Sequence, residues 1–234
     1  MIEVLRNTIL DHLIIVKFTI EFSKTSSVDF IRKILVGKLD ARRVILGFNH
    51  HFGHNREGDY EYLRELGKFY NFQVEEIPGQ DIDNETVSST KIRKALLEGN
   101  IQRANAYLDH HYMVMGELIT GTEQYGQNGL PTVRIQVEEE CKLIPPDGIY
   151  AVHLISGSNY YRGMTIIKRP EGFLYDSREI FVDTHLINYE GGLIGQTATI
   201  FFHKQVRNYS ALAPTIFSVG DFVEAKEEIE DLIY

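Results

Sequence analysis

The sequence predicts an α/β plus β protein: a partial Rossmann-like α/β domain over residues 1–110, then a small antiparallel β-barrel with a C-terminal helix over residues 111–234. Three observations predict it. Strand-like and helix-like stretches alternate as far as residue 110, which is the grammar of a parallel sheet with crossover helices. Beyond Tyr112 the pattern becomes strand after strand, separated by Gly, Asn, Pro and Asp turns. And 234 residues are enough for two modest cores.

In the first half, residues 13–18, 43–48 and 72–77 are rich in β-formers. Between them, residues 27–37 and 58–70 place apolar side chains at helical spacing: Phe30, Ile31, Ile34 and Leu35, then Tyr60, Leu63, Leu66 and Phe69. A three-stranded parallel fragment leaves faces and edges uncovered, so this half reads as part of a domain, and its open sheet predicts a homo-oligomer. In the second half, residues 113–120, 132–137, 148–155, 163–167, 180–186 and 196–205 read as six strands with Gly-rich corners, hence a closed barrel. Residues 219–234 read as an acidic amphipathic helix with Phe222, Val223, Ile229 and Ile233 toward the barrel.

Composition narrows the function classes. The formal charge of -9, with no basic stripe to offset it, argues against a nucleic-acid scaffold, although phosphates can still bind locally. The one cysteine, Cys141, excludes an intrachain disulfide framework and fits a reducing compartment. The longest apolar runs are strand-sized and the N-terminus lacks a leader pattern. A cytoplasmic protein with no membrane partner is the expectation.

Two stretches carry chemistry suited to phosphate. In the loop from Gly121 to Ile135, three glycines (Gly121, Gly126, Gly129) are followed by Pro131 and Thr132, so the backbone can turn its N–H groups toward an anion. It lacks the Gly-Lys-Ser/Thr ending of a P-loop, and its alternative reading is a plain surface loop. In Val87-Ser-Ser-Thr-Lys-Ile-Arg93, just before a helix that stops at Gly99, Ser88, Ser89 and Thr90 offer an N-cap and free amides while Lys91 and Arg93 offer charge. A well-capped surface helix is the alternative there. His50, His51 and His54 have no Cys or carboxylate at ligand spacing, so zinc is not expected. His110 and His111, beside Asp109, read as a solvated corner between domains.

Taken in order and spacing, these motifs resemble the bifunctional bacterial riboflavin kinase and FMN adenylyltransferase family, also called FAD synthetase. Gly47-Phe-Asn-His-His-Phe-Gly-His-Asn-Arg-Glu-Gly58 is similar to its Gly-Tyr-Asp-Phe-x-Phe-Gly-x-x-Arg-x-Gly stretch, and residues 87–93 to its Ile-Ser-Ser-Thr-x-Ile-Arg. Gly129-Leu-Pro-Thr132 resembles Gly-Phe-Pro-Thr-Ala-Asn, Pro145-Pro-Asp-Gly-Ile-Tyr150 resembles Pro-x-x-Gly-Val-Tyr, and Gly191-Gly-Leu-Ile-Gly195 resembles Asp-Leu-Tyr-Gly. The resemblance covers nearly the whole chain. It makes His51-Phe-Gly-His54 a lookalike of the nucleotidylyltransferase His-x-Gly-His, which in the family follows the first strand. That first strand and its histidine loop have no counterpart in this chain, so FAD synthesis is not expected from it alone.

The resemblance implies a riboflavin-kinase barrel after an incomplete adenylyltransferase domain, with ATP and riboflavin as substrates, FMN as product and Mg²⁺ as cofactor. It places Gly126, Gly129, Thr132, Arg134, Ser88, Ser89, Thr90 and Arg93 at ATP and phosphate, Thr132 also at the metal, Arg207 at the flavin and Asp183 as proton acceptor. The family's Asn position holds Arg134, whose guanidinium cannot ligate a cation. Asp183 stands where the family has Glu, one methylene shorter; Ile167 replaces the flap Gly and Glu171 the flap Thr. Tyr125 and Gln127 occupy loop positions where the family tends to carry basic residues. These departures keep an alternative function open: a non-catalytic flavin- or nucleotide-binding relative.

Overall fold

The computed structural model describes residues 5, 8–82, 85–121, 132–137, 141–169, 180–187, 189 and 191–208. The chain divides into two compact units, Met1–Gln80 and Asp81–Tyr234. Among the described residues no helix is long and apolar enough to cross a membrane.

In the first unit two short helices, α1 (Ile20–Ser23) and α2 (Ser27–Asp29), lead into a π-helical stretch, Phe30–Val36. Ser26 starts α2 by accepting from the Asp29 N–H at 3.1 Å. Strand β1 (Arg43–Gly47) pairs in parallel with β2 (Gln73–Ile77), joined through α3 (Tyr60–Tyr70). Helix α3 is capped by Asp59, which accepts from Tyr62 N–H, and ends where Asn71 turns left-handed at φ 60°. Leu46, Ile31, Leu63 and Phe72 make the small core that these elements share. Residues 43–48, 72–77 and 58–70 thus match their expected types within two residues at each end. The helix expected over 27–37 is there but widens from α to π after Asp29.

Residues 13–18 correct the sequence expectation of a strand: they adopt no regular structure. Strand propensity is realised only against a neighbour, and among the described residues the sheet is β1 with β2 alone.

The second unit begins with a two-stranded ribbon, β3 (Asp81–Ile82) with β4 (Glu85–Thr86), followed by α4 (Ser89–Leu97) and α5 (Ile101–Leu108). Gly99, at φ +74°, makes the left-handed turn between these helices, and Asn100 restarts the chain as an N-cap by accepting from Arg103 N–H at 3.2 Å. Then come β5 (Tyr112–Thr120), β6 (Thr132–Val137), β7 (Gly148–Ser156), β8 (Asn159–Lys168), β9 (Phe181–Leu186) and β10 (Thr197–Asn208). They close into an antiparallel barrel in the order β10-β5-β6-β9-β8-β7. All six expected strands are present, so the α/β plus barrel architecture holds.

Alternation along each strand explains closure. Inward residues such as Val114, Leu118, Val133, Val152, Val182 and Phe202 are fully buried and form one core with Ala95, Leu96, Ile101 and Ala104 of the two helices. Outward residues Ile149, Ala151, Met164 and Ile166 form a separate buried cluster on the other face of the wall. Two glycines allow the wall to close tightly: a Cβ on Gly116 would stand 2.0 Å from the Gln136 carbonyl oxygen, and one on Gly163 2.3 Å from that of His185.

The contact boundary at 80/81 differs from the domain boundary expected near residue 110 by the stretch carrying α4 and α5, whose apolar faces complete the barrel core. The helix expected over 219–234 lies outside the described residues.

Candidate functional site

Strand register assembles the site. In the β6–β9 ladder, Thr132 lies opposite His185, Val133 opposite Thr184 and Arg134 opposite Asp183. Val133 points into the barrel core, so Thr132 and Arg134 point outward, and by the same alternation Asp183 and His185 point outward while Thr184 points in. Thr184 meets Thr165 of β8 there, hydroxyl to hydroxyl at 2.8 Å, which satisfies two buried hydroxyls inside an apolar core. One outward row then crosses five strands: Arg134, Asp183, Ile166, Ile149 and Arg207.

The centre of this row is an ion pair. Arg134 Nε donates to Asp183 Oδ1 at 2.7 Å and Nη2 to Oδ2 at 2.9 Å, a two-point contact between planar groups. The Asp183 side chain is only 4% exposed and that of Arg134 16%. The guanidinium also stacks 4.1 Å from the centroid of the Phe181 ring, on the same strand as Asp183. Beside the pair, Thr132 Oγ1 lies 3.2 Å from His185 Nδ1.

Of the residues singled out in the sequence, the structure brings together Thr132, Arg134 and Asp183. Arg207 ends the same row three strands from Asp183. Ser88, Ser89, Thr90 and Arg93 belong to the N-terminal turn and first half of α4 and are exposed. Ser88 Oγ accepts from the Lys91 N–H at 3.3 Å, so the serine caps the helix as its type suggests. Lys91 reaches Glu85 at 3.6 Å; the same carboxylate takes Arg103 at 3.0 Å and the Tyr107 hydroxyl at 2.8 Å. The Tyr107 hydrogen bond first, then the two cations, hold the Glu85 carboxyl below its ordinary range. Gly126, Gly129, Pro131, Tyr125, Gln127 and Glu171 lie outside the described residues. The end of the expected flap is visible at Arg169, which is held by the Asp147 carboxylate and by the carbonyls of Ile144 and Pro145.

Residues 1–91 match the FAD synthetase family and residues 108–213 match the riboflavin kinase family. A bifunctional riboflavin kinase/FMN adenylyltransferase of Buchnera aphidicola subsp. Schizaphis graminum (strain Sg) is 31% identical over 201 residues, which is 85% of this chain and 64% of that protein. The protein of the same description from Listeria monocytogenes serovar 1/2a is 30% identical, over 84% of this chain and 62% of its own length. This chain belongs to the riboflavin kinase and FAD synthetase family. It spans less than two thirds of the length of the curated relatives it matches. A crystal structure of a macrolide-efflux protein from Streptococcus pneumoniae has the same fold, with a TM-score of 0.74 over 92% of this chain and 67% of that chain at 21% identity.

Within the family's barrel, the β6–β9 row has an unusual electrostatic balance for a metal. Mg²⁺ takes about six oxygen ligands in near-octahedral array. Here the Asp183 carboxylate is already bound at both oxygens by a fixed cation, and Thr132 Oγ1 is engaged with His185. In this arrangement the residues do not fit a resident Mg²⁺. Among the described residues no three His, Cys, Asp or Glu side chains are grouped as a metal cage.

A second polar cluster lies on the barrel wall, and no local residue pattern announces it. His153 Nδ1 and His203 Nε2 are 2.7 Å apart, and the His111 ring lies 4.1 Å from that of His203. Phe201 and Tyr160 stack on His153. Burial, and then the nearby His111, push His153 and His203 down to about 4. His111, read as a solvated corner, is one wall of this cluster; Asn105 of α5 holds it at 3.2 Å. The three histidines are far apart in sequence, and only strand register, including the irregularity of β10 between Phe202 and Lys204, unites them.

Proposed function

We propose that the barrel phosphorylates riboflavin to FMN with ATP as phosphoryl donor, Mg²⁺ arriving as part of the MgATP substrate. The observation that carries this reading is the placement of Thr132 and Asp183 on neighbouring strands and the same outward face, within the segment that matches riboflavin kinase. In the reaction the terminal ribityl hydroxyl oxygen bonds to the γ-phosphorus, the bond from that phosphorus to the bridging oxygen of ADP breaks, and the hydroxyl proton passes to Asp183. Thr132 and the backbone around Gly126 and Gly129 position the triphosphate, and Arg207 orients the flavin. Asp183 accepts a proton only after Arg134 lets go of at least one carboxylate oxygen. Incoming phosphate is the natural competitor for that guanidinium, because it offers the same two-point geometry. In this reading Arg134 exchanges a carboxylate for the γ-phosphate as substrate binds.

The closed Arg134–Asp183 pair favours a second reading, a flavin- or nucleotide-binding relative without turnover. A guanidinium that stays on Asp183 leaves no base and adds no metal ligand. Pure protein incubated with riboflavin and MgATP, followed by chromatography of the flavins, separates the two when paired with titration calorimetry. FMN above a Thr132→Ala control supports the kinase. Binding of flavin or ATP with no FMN supports the binder and sinks the first reading.

A further inference from the structure

The outer wall of the barrel carries three imidazoles that the row around Thr132 and Asp183 does not use. Strand register brings them together: His153 of β7 lies opposite Phe201 of β10, and His203 and His111 continue the outward faces of β10 and β5 beyond the Phe202–Tyr112 pair. His203 falls at the irregularity of β10 between Phe202 and Lys204, a feature that re-aims side chains. His153 is sandwiched between Phe201, 4.5 Å away at 8°, and Tyr160, 5.0 Å away at 24°, which fixes the plane of its ring. Its Nδ1 meets His203 Nε2 at 2.7 Å, so two half-buried ring nitrogens converge on one point.

The spacing is that of ligands around an ion. Imidazoles bound to one metal at about 2.0–2.1 Å stand with ring centroids roughly 4.5 Å apart for a right-angled pair and about 5.2 Å apart for a tetrahedral one. Here the separations are 4.1 Å for His111–His203, 4.9 Å for His153–His203 and 5.9 Å for His111–His153. His153 and His203 already face each other, whereas His111 is turned toward Asn105. Asn105 Oδ1 accepts from the Tyr112 N–H at 2.7 Å, which leaves Nδ2 to donate to the Phe202 carbonyl at 2.8 Å and to His111 Nδ1 at 3.2 Å. The His111 Nδ1 lone pair is therefore already bare, and Asn105 keeps its two shorter bonds when His111 turns away. His111 is exposed, so the turn disturbs no core. Burial pushes His153 and His203 down to about 4, so at neutral pH no proton competes with a metal for them. Arg162 of β8, opposite His153, is exposed, and water and salt screen its charge.

We propose that His111, His153 and His203 bind one divalent transition-metal ion of the zinc type, through Nδ1, Nδ1 and Nε2 respectively, with water in the fourth position. Imidazole nitrogens without carboxylates suit zinc, copper or nickel and not Mg²⁺, which takes oxygen. In the metal-free pair one of the two facing nitrogens carries the shared proton. On binding, that proton moves to the other nitrogen of the same ring, so both rings become ligands with no net proton released. The ligands come from the start of β5, from β7 and from β10, so the ion ties together segments that are distant in sequence. The inference rests on the barrel wall alone and does not depend on the activity proposed for the barrel.

Titration calorimetry of the full chain with ZnCl₂ near neutral pH, in a buffer that does not chelate, tests it. One Zn²⁺ per chain is expected, together with a melting temperature that rises with free Zn²⁺, because an ion bound only by the folded chain stabilises it. His111→Gln and His153→Gln should each weaken binding at least ~10-fold, no less than the loss of a group that merely orients a metal ligand. His51→Gln, in the exposed histidine stretch of the N-terminal unit, should leave binding unchanged. The exposed position of His111 keeps its variant folded even if His153→Gln is not. With Cu²⁺ as a second probe, electron paramagnetic resonance should show three ligand nitrogens in the parent and two in His111→Gln. No Zn²⁺ uptake up to roughly 100 µM, histidine variants that bind as tightly as the parent, or binding lost in His51→Gln would each overturn the proposal. A copper spectrum that His111→Gln does not change would overturn it too, by removing the third ligand.

Discussion

Removing the Arg134 guanidinium should be among the most destabilising single changes in the barrel, and Arg134→Met isolates it. Methionine keeps most of the aliphatic stem, so packing along the wall is largely retained. What disappears is a two-point ion pair, at 2.7 and 2.9 Å, onto a carboxylate whose side chain is 4% exposed. Stripping one partner from a buried pair costs about 3–5 kcal/mol, because the charge left behind was already taken out of water. Arg134 itself is 16% exposed, which moves the figure to the lower end, near 3 kcal/mol, before the loss of about 0.5–2 kcal/mol for the stack on Phe181. For a chain of this size the combined loss of about 3.5–5 kcal/mol predicts a melting temperature lower by roughly 7–20 °C. Asp183→Asn should cost less, about 1–2 kcal/mol, because the guanidinium left behind can turn to water. Thermal and urea unfolding of the parent, both single variants and the double variant gives the coupling energy, expected to exceed about 1 kcal/mol. An Arg134→Met protein within about 0.5 kcal/mol of the parent, or strictly additive variants, would refute the claim that this pair is closed and buried.

The histidine cluster predicts an acid-side loss of stability. His153 and His203, held near 4 in the fold against an ordinary value of about 6.5, are neutral in both states above that value. As pH falls from about 6.5 toward 4 the unfolded chain takes up protons that the folded chain refuses, so stability falls through this window and levels off below it. After allowance for partial exposure the loss is on the order of 1–2 kcal/mol per histidine, and His203→Gln should remove roughly half of it in melts compared at pH 7 and pH 4.5; an unchanged pH profile would contradict the cluster. Gly163→Ala should cost about 2–4 kcal/mol, since its Cβ would stand 2.3 Å from a β9 carbonyl oxygen, and a melt equal to the parent would mean that β8 and β9 are not so closely paired.

The barrel was legible in the sequence because inward and outward residues alternate along each strand and glycines mark the corners, a local signal that survives folding. Strand β9 shows it plainly: Val182, Thr184 and Leu186 turn inward, and Asp183 and His185 outward. The segment 13–18 is illegible for the complementary reason. Its residue types favour a strand, but a strand is a relation between two segments, and nothing local says whether the partner is present. Helix α5 is hidden in the sequence because Gly99 has the character of a helix end, whereas Asn100 directly after it starts a new helix.

The site was legible in its parts and hidden in its pairing. Thr132, Arg134 and Asp183 stood out singly, yet the register that sets Arg134 opposite Asp183 spans 49 positions of chain. An Arg and an Asp, each with an outward position on its strand, were the available clue to that pair. Histidines 153 and 203 are 50 positions apart, and no residue pattern near either one announces the other.

Whether the outward row around Thr132 and Asp183 is a phosphoryl-transfer site is decided by the rate of FMN formation from riboflavin and MgATP by the purified chain and by Asp183→Asn. The parent should form measurable FMN and the variant should be at least ~100-fold slower, the usual contribution of a positioned proton acceptor. Riboflavin left unchanged by the parent, or an Asp183→Asn protein as fast as the parent, would contradict it.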